Sequence, residues 1–141
     1  MKASVTWQDG TSFTGTADSG FTLETGTNAA GTKIGSSPME LLLISLAGCT
    51  AMDVISILQK KRQDVTDFQV QVEGDRADDH PKVYTNLRIH YVVRGRAISP
   101  DAVERAISLS SDKYCSVSAM LSKAATVTHT YEIVADEMVP V

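Results

Sequence analysis

The sequence predicts an α+β protein built as a single domain over residues 1–141, and two patterns carry the prediction. Short runs with apolar residues at every second position recur on both sides of one long apolar segment, Pro38 to about Lys61. Strand-like runs that follow one another are joined mostly by turn signals. No regular strand–helix alternation runs through the chain, which argues against a doubly wound sheet.

The first third reads as short strands. Val5 and Trp7 alternate with polar residues, and Asp9-Gly10 is a hairpin-turn signal. Ser12 to Thr16 returns as the partner strand, and Gly20 to Glu24 supplies a third. Gly26 to Ser37 is rich in Gly, Ser and Thr and reads as a loop.

The long helix comes next. Ser37 is its N-cap, Pro38 its first residue and Glu40 its third, a capping-box signature before an apolar run. From Leu41 to Leu58 apolar residues nearly surround the axis. Burial on most sides is expected, and since one small sheet offers too little cover, so is packing against a second subunit. Lys60, Lys61 and Arg62 suit the helix C-terminus.

Val65 to Glu73 alternates as a half-buried strand, with Phe68, Val70 and Val72 on one face. Leu87 to Arg94 is the next strand, with Leu87, Ile89, Tyr91 and Val93 facing the core and Gly95 closing it. Ser99-Pro100 opens a helix carrying Val103, Ala106 and Ile107 at helical spacing. A short helix from about Cys115 to Lys123 and a last strand, Ala125 to Val134, complete the chain.

Composition narrows the function. A chain of 141 residues can bury a core without disulfides or metals. The net charge is −4 and no stripe of Lys and Arg forms, so a nucleic-acid partner is not expected. Twelve uncharged residues separate Glu40 from Asp53, short of the ~20 that span a bilayer. The first residues lack a signal-peptide core. The expectation is a cytoplasmic protein with reduced thiols and no membrane association.

The chain has two cysteines, Cys49 in the apolar helix and Cys115 at a predicted helix start. Cys49 is either a small buried hydrophobe or a nucleophile. It lies too far from the N-cap for the helix dipole to act on it, and Asp53, one turn later, opposes a thiolate. Cys115 is better placed, because free N–H groups at a helix start and nearby Lys113 favour its thiolate. Glu40 is either a capping partner or an acid that orients a cation near the thiol. His80, His90 and His129 lack metal-ligand spacing with either cysteine, so no zinc site is expected. No phosphate-binding glycine loop is present, and no metal or cofactor is expected.

Ser36-Ser37-Pro38-Met39-Glu40-Leu41-Leu42 with Ala47-Gly48-Cys49 resembles the central-helix motif of the osmotically inducible protein C (OsmC) and organic hydroperoxide resistance superfamily. Lys113-Tyr114-Cys115-Ser116-Val117-Ser118-Ala119 resembles that family's second cysteine motif. His80 to Tyr84 and the opening strand pair, Val5 to Gly15, also fit, so the resemblance covers nearly the whole chain.

The resemblance implies antiparallel sheets around a long buried central helix in an intertwined homodimer. It also implies a thiol peroxidase, related in chemistry to the peroxiredoxins, that reduces organic hydroperoxides in oxidative or osmotic stress defence. Cys49 would be the peroxidatic cysteine, Cys115 the resolving cysteine and Glu40 the carboxylate that holds a catalytic arginine, with a dithiol as reductant. The loop before the helix differs from the family's peroxidases. It carries Lys33 and no arginine, and it is poor in large apolar residues. The alternative is a non-catalytic dimer of the same fold that binds a small apolar ligand or senses redox state.

Overall fold

The computed structural model describes residues 1–136, which fall into two compact units, Met1–Leu42 and the described residues from Leu43 on, with the boundary inside the first helix. In the first unit, β1 (Ala3–Trp7), β2 (Phe13–Ala17) and β3 (Thr22–Thr25) form an antiparallel sheet in that order. Val5 pairs with Gly15 and Trp7 with Phe13 around the Asp9-Gly10 turn. Trp7 Nε1 donates to Gly10 O at 2.9 Å, and Ser12 Oγ to Asp9 O at 2.9 Å. The Gly26–Ser37 loop folds back along β3, where Ser36 N–H donates to Glu24 O at 3.2 Å. Gly35 permits this approach. Its φ is +66°, and a Cβ there would lie 2.0 Å from Glu24 O.

α1 (Pro38–Lys60) begins as the capping box predicts. Glu40 N–H donates to Ser37 Oγ at 3.2 Å, and Ser37 N–H donates to Glu40 Oε1 at 3.3 Å. Beyond its last residue, Lys60, Arg62 takes a left-handed φ of 56° and lets Gln63 N–H reach back to Leu58 O at 3.0 Å. At 23 residues, α1 is long and apolar enough to cross a bilayer by length and composition, because it runs on past Asp53.

The second unit is a three-stranded sheet in the order β4 (Asp64–Arg76), β5 (Tyr84–Arg96), β6 (Thr126–Ala135). β4 and β5 are antiparallel. β5 and β6 are parallel, so the expectation of antiparallel sheets fails here. The connection is a crossover through α2 (Pro100–Leu109), a π-helical turn (Ser110–Tyr114) and α3 (Ser116–Leu121). A parallel pair needs such a crossover, which the strand-by-strand turn count overlooked. α2 starts at Ser99, whose Oγ accepts from Ala102 N–H at 3.3 Å.

The core of this unit draws on Leu87, Ile89, Tyr91 and Val93 of β5 and on Val103 and Ala106 of α2. α1 contributes one stripe, Leu46, Thr50, Val54 and Leu58, a repeat of four that keeps to one helical face. Each fully buried aliphatic side chain here adds about 1.5–3 kcal/mol. The expectation of a helix buried on most sides is not met within the single chain. Ile44 is 62% and Met52 73% exposed. The single chain fully buries one stripe, while Leu42, Ile44 and Met52 of α1 stay exposed and Leu43, Ile55 and Ile57 are half-buried.

Candidate functional site

Cys49 lies about three turns into α1, with Asp53 one turn beyond it, so both project from the same side of the helix. Cys115 arrives from the crossover. Its N–H donates to Ser110 O at 2.8 Å, closing the π-helical turn, and its extended backbone (φ −76°, ψ 101°) caps α3. A π turn adds a residue to the helical repeat and redirects the chain beyond it, and such turns often occur at functional sites. Here the turn brings the Cys115 side chain to α1. The Cys49 Sγ, the Cys115 Sγ and an Asp53 carboxylate oxygen all lie within 4.8 Å of one another.

The two thiols differ in environment. Cys49 is half-buried, whereas Cys115 is 3% exposed. Burial pushes the Cys115 thiol up to about 11, and the neighbouring Cys49 and Asp53 push the same way. The N–H of Ser118, 3.3 Å from the Cys115 Sγ, opposes the shift without cancelling it. The expectation that the helix start favours a Cys115 thiolate is therefore overturned. α3 has only six residues, and desolvation outweighs its few free N–H groups. Lys113 lies over the Tyr114 ring, 5.3 Å from the centroid.

A buried polar chain ends at Asp53. Ser110 Oγ donates to Asp53 Oδ2 at 2.9 Å and is 2.9 Å from Thr50 Oγ1. Thr50 Oγ1 is 2.8 Å from Tyr91 Oη, which is 3.0 Å from His129 Nδ1. Each hydroxyl has one proton, and the carboxylate can only accept. Ser110 therefore spends its proton on Asp53, Thr50 donates to Ser110, and Tyr91 donates to Thr50. The phenol oxygen is left to accept from His129, which fixes the Nδ1–H tautomer. Burial pushes the Tyr91 hydroxyl up to about 12 and holds His129 below the ordinary histidine range. Both conditions favour this neutral chain.

Asp53 also lines a cleft of about 420 Å³, together with Ser56, Ile57, Lys60, Leu109 and Tyr114. Among the described residues, no Lys or Arg forms an ion pair with Asp53. Glu40 stands in the first turn of α1, where its hydrogen bonds with Ser37 hold its carboxyl below the usual range, helped by the charge of Lys33.

A family model described as OsmC-like protein matches residues 30–130. The chain belongs to the OsmC-like family. It is 45% identical over 135 residues to protein YhfA of Escherichia coli strain K12, a match that covers 96% of this chain and 99% of YhfA. A solved structure of a hypothetical protein from Aquifex aeolicus VF5 is 33% identical, with a TM-score of 0.86 over 96% of this chain and 97% of that one. The organic hydroperoxide resistance protein OhrB of Bacillus subtilis shares the fold at 15% identity, with a TM-score of 0.63 over 94% of this chain and 98% of that one.

In this OsmC-like chain, Thr50, Tyr91, Ser110 and His129 are the site residues that sequence reasoning missed. Thr50 offered one signal, a hydroxyl on the stripe of α1 that otherwise reads Leu46, Val54 and Leu58. Tyr91 was placed on the core face, but nothing in β5 showed where its hydroxyl would find a partner.

Proposed function

We propose that this protein is a thiol-dependent peroxidase that reduces organic hydroperoxides in stress defence, working as a cytoplasmic homodimer. The meeting of Cys49 and Cys115, one half-buried and one buried, is the observation that carries the reading. A peroxide reaches the more exposed sulfur first, and the buried thiol is within reach of the product.

The Cys49 thiolate attacks the terminal oxygen of ROOH. The O–O bond breaks, an S–O bond forms, and the alkoxide leaves as ROH after taking a proton. Cys49 is then a sulfenic acid. Attack by the Cys115 sulfur on the sulfenic sulfur forms the disulfide and releases water. A dithiol donor reduces that disulfide by two exchange steps and is itself oxidised to a disulfide. Glu40 enters as a positioning residue that fixes the start of α1 through the capping box.

The test is consumption of an organic hydroperoxide by the full chain with dithiothreitol as donor. Turnover by wild type and none by Cys49→Ser is the expected result. Equal inertness of the two overturns the enzyme reading.

Asp53 beside the sulfurs favours a second reading, because a carboxylate opposes thiolate formation. In that case the pair senses redox state, and mild peroxide produces the disulfide slowly, without turnover.

A further inference from the structure

Two thiols and a carboxylate converge within 4.8 Å in a partly buried site, and each of them becomes an anion on losing its proton. A disulfide has no use for the carboxylate. Asp53 raises the cost of forming the Cys115 thiolate, and no Lys or Arg among the described residues pairs with it. A divalent cation reverses the sign of all three interactions, since it attracts the anions that otherwise repel one another.

We infer that Cys49, Asp53 and Cys115 form a binding site for a zinc ion. Thiolates select soft and borderline metals, and zinc accepts sulfur and carboxylate oxygen in one tetrahedral shell. In such a shell the ligand atoms stand roughly 3.5–3.8 Å apart, given Zn–S of about 2.3 Å and Zn–O of about 2.0 Å. Atoms already within 4.8 Å reach that spacing through small side-chain rotations. Two ligands are also held in place from behind. Ser110 Oγ donates to Asp53 Oδ2 at 2.9 Å, and Ser118 N–H donates to the Cys115 Sγ at 3.3 Å. Three protein ligands leave one coordination position for solvent, on a cluster whose Asp53 lines the 420 Å³ cleft.

Histidine spacing gave no hint of this site, because its ligands are two cysteines far apart in the chain and an aspartate. The zinc assignment does not rest on peroxide turnover, and its test reads metal binding rather than activity. The ion and a Cys49–Cys115 disulfide exclude each other, as both use the same two sulfurs.

The test is an anaerobic titration of the reduced, chelator-treated full chain with Co²⁺, then displacement with Zn²⁺. The expected result is one ion per chain, with thiolate-to-cobalt charge transfer in the near ultraviolet and the visible bands of tetrahedral cobalt. Cys49→Ser and Cys115→Ser each remove part of the charge-transfer intensity and weaken binding at least tenfold. Asp53→Asn keeps the charge transfer but weakens binding at least tenfold, with unchanged far-ultraviolet circular dichroism. Absence of the charge-transfer band in wild type overturns the inference. Undiminished affinity in Asp53→Asn overturns it as well, because the thiols alone would then account for the binding.

Discussion

Tyr91 Oη and His129 Nδ1 lie 3.0 Å apart, and their rings stack with centroids 5.9 Å apart at an interplanar angle of 16°. The phenol joins the histidine on β6 to Thr50 on α1 and, through Ser110, to Asp53 beside the thiols. Tyr91→Phe keeps the ring and removes the link, leaving His129 without its phenol partner and Thr50 with Ser110 alone. We expect a loss of about 1–3 kcal/mol, read from urea unfolding. Ser110→Ala costs a similar amount. The double variant costs less than the sum, because both changes strip partners from Thr50.

The same pair sets a pH dependence. Burial keeps His129 neutral by lowering it below the ordinary 6.5, so near that pH the unfolded chain binds a proton that the folded chain does not. The stabilisation is complete above about 6.5 and declines as pH falls toward the lowered folded value. Unfolding free energies measured between neutral and mildly acid pH should therefore fall more steeply for wild type than for His129→Gln.

The thiols should separate kinetically. Cys115 is buried, with its thiol pushed up to about 11, so it stays protonated at neutral pH. Alkylation by iodoacetamide, read by mass spectrometry, should label Cys49 well before Cys115. Equal labelling of a folded sample would contradict this account of the pair.

α1 should show two kinds of sensitivity. Leu58 is fully buried, and Leu58→Ala should cost about 2–5 kcal/mol. Ile44 and Met52 are exposed in the single chain, so an alanine at either should change the stability of the isolated fold by no more than about 0.5 kcal/mol. In the proposed homodimer the same face is covered, and Ile44→Arg should shift gel-filtration elution from dimer to monomer. Elution of wild type at monomer size would sink the dimer.

Glu40→Gln preserves both hydrogen bonds of the capping box, whereas Ser37→Ala removes the side-chain cap and should cost about 1 kcal/mol. If Glu40 acts by positioning the helix start, peroxide consumption by Glu40→Gln stays near wild type. A collapse of turnover with unchanged stability would instead give its charge a direct part in the chemistry.

The element order, the capping box at Ser37 and Glu40, and the core faces of β4 and β5 were all legible in the amino-acid order. Those features are local: caps act over three residues, and side chains alternate along a strand with period two. The two cysteine motifs also indicated the family. That β6 lies parallel to β5 emerged only on folding, because strand direction depends on how the crossover packs. So did the choice of which stripe of α1 is buried, since hydrophobicity along a helix does not say what supplies the cover. The thiols show the difference most clearly. Local charge and the helix start favoured a Cys115 thiolate, but the fold buries that sulfur against Asp53 and Cys49. Desolvation and like charges from distant parts of the chain then outweigh the dipole of a six-residue helix, and neither effect exists until the chain has folded.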